Sequence, residues 1–576
     1  MCESLPSPAT LKTFSRSQPF FRTLLVSRSR TPLAMNLLLA SFSRLKCLRV
    51  LDLSHLWNIE SLAPQIGHIK HLRYLNLRNT GIASLPKFVY KQLNLQTLVL
   101  SYNEKFTLLP SSIENLKHLR YLDLSNTGIT ILPESICSLT DLRTLKLKSP
   151  KLKMLPKCMR NMRSLRHVEM YPDHAKLTGM PVGIGELTSF QTLSLFVVSP
   201  TREFAGIQEL GRLHQLKGLL MIKGLRHVPH QNDAQQANLM SKNLSELYLL
   251  WSGDGVDVDS SQEINSKEVL EGLQPHANVQ KLWIEGYPGV IFPSWVGSST
   301  ALPTLTSLTL NDMPNLEGWS SEHLLPSRLK ALRIGKCPKL TLPTLPSSIE
   351  KLTVERCNDP TLSSVENLPH LSFLEVFGFD EIETLREVPL GNHTSLETLY
   401  IMNFRKLKSL SNNLENLTTL ANLRIVGCGE LDSISEGLQN LASLQDFRLC
   451  ALPKLKSLSL QALTALQILE LNTCRILDVS VVEFQHLVAL RELKLRKLPQ
   501  LTSLPEGIRN VTTLENLEIW SCRSMTKLPE WLQHLPALVS LKIQDCHADL
   551  HKRCEKDNGE YWPKISHLRV YNEIAF

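Results

Sequence analysis

One pattern constrains this chain more than any other. Leu-x-x-Leu-x-Leu, or a close variant with Ile, Val or Phe, recurs along nearly its whole length. It stands at Leu48, Leu51 and Leu53, at Leu72, Leu75 and Leu77, at Leu95, Leu98 and Leu100, and at Leu119, Leu122 and Leu124. Followed to Ile565 it gives 22 units, most of them 22 to 26 residues apart, with a degenerate further unit at Phe21. Leucine alone supplies 111 of the 576 residues. A repeat of this length is one supersecondary unit that buries its apolar side only against its neighbours. Within Leu-x-Leu, alternate residues share one side of a strand. The leucines therefore point into a continuous core and the residues between them point out.

Each unit carries a second apolar set. In the early units it reads Leu-Pro-x-x-Ile, as at Leu132-Pro133-Glu134-Ser135-Ile136, and it returns at Leu504-Pro505 and Leu528-Pro529. Proline cannot donate to a sheet ladder, so turns, short helices and coil are expected there. The expected fold is an α/β right-handed solenoid, a horseshoe with a parallel β-sheet on its concave side and an irregular or short-helical convex side. Just past each strand stand Thr80, Asn103 and Thr127, and later Cys337, Cys357, Cys428, Cys474, Cys522 and Cys546. Small polar or thiol side chains at one fixed place are read as turning inward to bond loop backbone.

Half of the 12 cysteines are accounted for in that way, one per layer, unlike a secreted disulfide framework. With no signal peptide in the sequence they are read as reduced thiols and the chain as cytoplasmic. No stretch approaches 18 consecutive apolar residues, so no transmembrane segment is expected. The net charge of +9 is modest and spread along most of the chain. Nucleic-acid binding calls for clustered basic and aromatic residues, and no nucleic-acid partner is expected.

The organisation follows the repeats. Residues 1–45 are a degenerate N-terminal flank with a possible first repeat, its strand running from Phe21 to Val26. The Ser- and Arg-rich stretch 1–30 also has the composition of an organelle transit peptide. Residues 46–252 are the first half of the repeats and 269–545 the second. Between them, 253–268 is acidic and lacks periodicity, and is expected to be an exposed loop. Residues 546–576 form a last repeat and cap.

The unit from Leu119 to Ile136 closely resembles the repeats of plant coiled-coil, nucleotide-binding, leucine-rich-repeat disease-resistance proteins. Glu268 to Val296 looks like a hallmark of that family's repeat domain. The stretch from Cys546 through Arg553-Cys554 to Gly559-Glu560-Tyr561-Trp562-Pro563-Lys564-Ile565 looks like its usual C-terminus. Family members carry a coiled coil and a nucleotide-binding module ahead of the repeats; here no G-x-x-x-x-G-K-[ST] phosphate loop occurs. The resemblance implies the recognition half of a plant innate-immunity receptor, sensing a pathogen effector or a guarded host protein. In full-length relatives the repeats also hold a nucleotide-binding switch inactive, so the receptor's nucleotide-binding domain is an implied partner. A generic intracellular leucine-rich-repeat signalling scaffold, or a hormone or small-ligand receptor, would use the same fold.

No catalytic set of nucleophile, base and orienter stands out, so an enzyme is not expected, and no cofactor is implied. Cys546, His547, His551 and Cys554 are all zinc-ligating types, but adjacent Cys546 and His547 would have to converge on one ion; a capping segment is the reading preferred. Asp257, Asp259, Ser261 and Glu268 match calcium-loop positions, with Gln262 where glycine is required; a solvated acidic loop is preferred. What remains is the strand face. The partner-binding residues expected there are Tyr248, Trp251, Trp283, Arg333, Glu375, Tyr400, Arg424, Arg448, Glu470 and Lys494. Tyr248 and Trp283 are the expected anchors, because large aromatics dominate binding hot spots; the alternative is that they shield the seam beside the acidic loop. Glu134, on the convex side, is expected to be idle.

Overall fold

A computed structural model describes residues 21–25, 46–56, 69–170, 176–251, 262–319, 325–365, 368–384, 390, 393–410, 414, 416–434 and 436–573. The chain forms two compact units, 1–289 and 290–576.

In the first unit, eight short parallel strands follow one another in sequence order. They run from Thr23–Leu25 and Val50–Asp52 through Tyr121–Asp123 to Thr192–Leu193. The expected degenerate first strand is therefore formed, pairing Thr23 with Val50. At Ser194 the pattern breaks, and four more parallel strands follow: Leu195–Val197, Lys217–Lys223, Asn243–Leu250 and Lys281–Glu285. The second unit stacks twelve parallel strands, from Ser307–Asn311 to Arg569–Glu573. It also holds a two-residue pair on its own, Ile291–Phe292 with Gly318–Trp319.

The register is what the repeat demands. Leu98, Leu122 and Leu145 are Cα partners across three strands, and all three are buried. The second apolar set closes the core from the other side, with Leu132 and Ile136 buried. There Pro110, Pro133, Pro156, Pro505 and Pro529 each precede a five-residue 3-10 helix. The proline holds extended backbone at the helix entrance and lacks a hydrogen that would go unused there. The outer side is thus short-helical, as expected.

The fixed position past each strand also behaves as read. Thr80 and Thr127 hydroxyls donate to the carbonyls of Leu77 and Leu124. Asn103 does more: its amide donates to Leu77 and Leu100, and its oxygen accepts from the backbone of Thr80 and Gly81. The thiols of Cys337 and Cys522 donate to backbone carbonyls in the same way. Burial pushes these two and Cys474 up to about 12. The residue immediately before is held in left-handed backbone: Asn79, Tyr102, Asn126, Lys336, Thr473, Ser521 and Asp545 have φ between 47° and 61°.

One expectation needs an addition and another a correction. The six repeat cysteines are free thiols, but Cys137 and Cys158, on successive outer turns, are joined by a disulfide. Their spacing of one repeat brings neighbouring 3-10 helices side by side, which the single-unit pattern does not announce. Second, the segment expected as a loop over 253–268 ends in a helix, Gln262–Gly272; residues 252–261 lie outside the described ones. Val269, Leu270 and Leu273 are buried, and Gly272 lies so close to the Gln231–Gln236 helix that a Cβ would stand 2.9 Å from the Gln231 carbonyl oxygen. Two apolar residues in the last turns of the helix and one just beyond it suffice to seat it without a visible period. Among the described residues, no helix is long and apolar enough to cross a membrane.

Candidate recognition surface

The residues between paired inward leucines form columns on the open sheet face, one residue per repeat. In the first unit Tyr248 and Trp283 are Cα partners. Their rings stack with centroids 5.7 Å apart and 26° between planes. Carboxylates fix both: the Tyr248 hydroxyl donates to Glu246 at 3.3 Å, and the Trp283 indole donates to Glu285 at 3.0 Å. Lys281 holds the other oxygen of Glu246 at 2.9 Å. Both rings are half-buried, so each keeps an open side.

Trp251 does not join them. It continues the inward alternation of Leu247 and Leu249, is 2% exposed, and packs edge-on against Tyr287 at 5.3 Å. It is a core residue of this stretch, not a surface contact.

In the second unit Arg333, Thr353, Glu375, Tyr400, Arg424, Arg448, Glu470 and Lys494 form one unbroken column. Its C-terminal part is electrostatically closed. Arg448 grips Asp446 through two 2.7 Å hydrogen bonds. Those bonds hold its guanidinium well above the usual arginine range. Glu470 accepts from Arg496 at 3.0 Å, Arg496 reaches Glu518 at 2.8 Å, and Lys494 lies 2.9 Å from Glu492. Arg333 is paired with Glu355 at 3.2 Å, and Glu375 accepts from Thr353 at 3.2 Å. Arg424 is exposed and has no ion pair among the described residues.

Around Tyr400 one neighbouring column turns apolar, and the other contributes a single ring. Phe373 meets the Tyr400 ring edge-on at 5.4 Å, and Phe377, Met402, Val426 and Cys450 follow one another in register. Sequence reading missed these because it took only the central residue of each strand. The five-residue strands of this unit present three outward residues each, and the outer two are legible once strand length is known.

The metal candidates are otherwise engaged. The His551 ring accepts from the Cys546 backbone at 3.0 Å and bonds Asn572 on its other side. Cys546 donates to Ile519 and Gln544 carbonyls, and His547 accepts from Asp549. Glu268 lies in the helix described above, while Asp257, Asp259 and Ser261 lie outside the described residues. Glu134 corrects an expectation: its carboxylate accepts from the backbones of Lys157 and Cys158 at 2.9 and 3.1 Å, so it ties two repeats together. It also lies beside Cys137 and Cys158, whose sulfurs are spent on each other.

Three family models match parts of the chain. "R13L1/DRL21 LRRs" covers residues 207–337, "Leucine-rich repeat region" 27–117, and "Leucine rich repeat" 93–152. Disease resistance protein RGA2 of Solanum bulbocastanum is 36% identical over 132 residues, 23% of this chain and 13% of that protein. The candidate disease resistance protein RGA1 of the same species is 32% identical over 293 residues, 41% of this chain and 29% of that one. A candidate disease resistance protein of Arabidopsis thaliana is 40% identical over 358 residues, 58% of this chain and 21% of the relative. The chain thus spans less than a third of the length of these relatives. Among solved structures, a Leptospira interrogans leucine-rich-repeat protein aligns at 19% identity and TM-score 0.34, covering 99% of this chain and 100% of that one. The plant peptide hormone receptor RGFR1 in complex with RGF2 aligns at 18% identity and TM-score 0.36, covering 97% of each.

Proposed function

We propose that this leucine-rich-repeat chain, homologous along its repeats to plant disease resistance proteins, is a cytoplasmic protein-recognition module of plant innate immunity. It binds protein partners through the open sheet face and carries out no catalysis of its own. The finer roles are sensing a pathogen effector or a guarded host protein and, joined to a nucleotide-binding domain, keeping that switch inactive.

The observation that carries this reading is the Tyr248–Trp283 stack. It lies within the matched stretch 207–337, two large rings in register on neighbouring strands, each tied at one end by a carboxylate. Rings held in that way bury much apolar area on binding at little further entropic cost.

The test is proximity labelling in leaf tissue with the chain, its Trp283→Ala variant and its Glu114→Ala variant. Glu114 is exposed on an outer turn, and it replaces Glu134 as the control because Glu134 bonds the next repeat. The expected outcome is a set of labelled proteins shared by wild type and Glu114→Ala and lost with Trp283→Ala. For a purified partner, Trp283→Ala should weaken binding by about 2 kcal/mol or more. Identical sets from all three chains would sink the reading.

A further inference from the structure

The residue two places before the first inward strand leucine forms a column of its own at the rim of the sheet. In the first unit its members are hydrogen-bonded one to the next. The N–H of Arg73 donates to the carbonyl of Arg49, Gln96 to Arg73, Arg120 to Gln96, Arg143 to Arg120 and Arg166 to Arg143, all at 2.7–2.9 Å. The line continues at one end to Arg22 and at the other through Gln191 to Lys217. Nine consecutive rungs thus hold seven cations, two glutamines and no acid. The seven cations are exposed, and none has an ion-pair partner among the described residues. In the residues leading into these strands, 46–49 through 214–217, the only carboxylate is Asp141, and His118 sits 3.4 Å from it.

The same column in the second unit is a built-in comparison. It carries Lys330 and Arg491 against Glu350, Glu397 and Glu515, two cations and three acids. Lys330 pairs with Glu350 at 2.8 Å and Arg491 with Glu515 at 3.1 Å across neighbouring strands. The repeat geometry therefore neutralises this column readily when the residues allow it. Like charges on adjacent strands are destabilising, so the uncompensated first-unit column costs the free chain something with no return inside the fold.

We propose that the arginine column of the first unit is a docking rail for an acidic helical segment of a protein partner. Spacing and charge both favour a helix. Rungs about 4.8 Å apart give a rail of roughly 38 Å over eight steps. Carboxylates three and four residues apart on a helix are about 5–6 Å apart, close enough for successive guanidiniums to take them, often through two hydrogen bonds each. Nucleic acid fits less well. Next to the rail, on the sheet face, stand Asp52, Asp123 and Glu169, which repel a chain charged on all sides but leave room for a helix acidic on one face. The site is independent of the Tyr248–Trp283 stack.

The experiment uses the full chain and fluorescence anisotropy. The probes are a labelled helical peptide with glutamates at i, i+3, i+4 and i+7 along its length, its glutamine twin, a thymidine oligonucleotide, and phosphatidylserine-containing vesicles. The glutamate peptide should bind and its glutamine twin should not. The combined Arg73→Gln, Arg120→Gln and Arg143→Gln variant should bind at least about tenfold more weakly, as loss of three charge-assisted contacts implies. Lys330→Gln with Arg491→Gln should leave binding unchanged, and the triple variant should unfold at the same temperature as wild type or higher. The proposal fails if the triple variant binds the peptide normally, or if it unfolds at lower temperature, which would make the rungs supports of the fold. It fails equally if the oligonucleotide or the vesicles bind more tightly than the peptide through the same arginines.

Discussion

Lys242 offers a sharp energetic test of the first unit. It precedes the Asn243–Leu250 strand, is 0% exposed, and its ammonium makes one hydrogen bond, to the Asn238 carbonyl at 3.2 Å. No carboxylate pairs with it among the described residues. Burial lowers its pKa from 10.5 to about 8. At about 1.36 kcal/mol for each pKa unit, that depression corresponds to roughly 3 kcal/mol of lost stability when the lysine is protonated in the fold. The sign follows from proton counts. Between about pH 8 and 10.5 the unfolded chain keeps the proton that the folded chain has given up, so stability rises with pH through that window. Below it the full penalty applies. Lys242→Met keeps the apolar stem and removes the charge. Near neutral pH it should raise the protection of the 217–285 repeats in hydrogen exchange by about 1–3 kcal/mol, the lost Asn238 hydrogen bond being set against the relieved charge. Near pH 10 the two proteins should converge. A variant less stable than wild type at neutral pH, or a difference that ignores pH, would refute the argument.

Two further outcomes are expected. Leu122→Ala should cost about 2–5 kcal/mol, and because each repeat leans only on its neighbours, hydrogen-exchange protection should fall around the Leu98 and Leu145 strands while the second unit keeps its own; loss spread evenly over both units would contradict this. Cys158→Ser should release a loop closed across 21 residues of sequence, lowering stability by about 3 kcal/mol under oxidising conditions and by little in excess dithiothreitol, as read by thermal unfolding in each buffer.

Most of the fold could be read from the sequence, and so could the Tyr248–Trp283 pairing. Both depend on one residue's relation to the next repeat in a strict register, and a leucine pattern states that register openly. Trp251 was misjudged because strand length was not visible: one more step of alternation places it inside with Leu249. The helix Gln262–Gly272 is hidden because its buried apolar residues are Val269 and Leu270, with Leu273 just beyond its end, too few to show a period in a polar stretch. The disulfide and the arginine column escaped for a different reason. Arg49, Arg73 and Arg120 are separated by whole repeats, so no single stretch of sequence holds the column, and the net charge dilutes it further. Only the ladder of backbone hydrogen bonds gathers them.

That ladder also bears on how such a surface changes by descent. Every repeat contributes one member to each outward column, and the inward leucines do not depend on which member it is. A point substitution at an outward position rewrites a single rung and leaves the stack intact. Duplication or loss of one whole repeat, in contrast, lengthens or shortens every column together and shifts everything beyond it by one strand spacing, about 4.8 Å. The two kinds of inheritance edit different things: one the chemistry at a point, the other the distance between points. A partner that touches Arg73 and Arg166 at once measures that distance, so a lineage could keep every contact residue and still lose the match by gaining a single repeat between them.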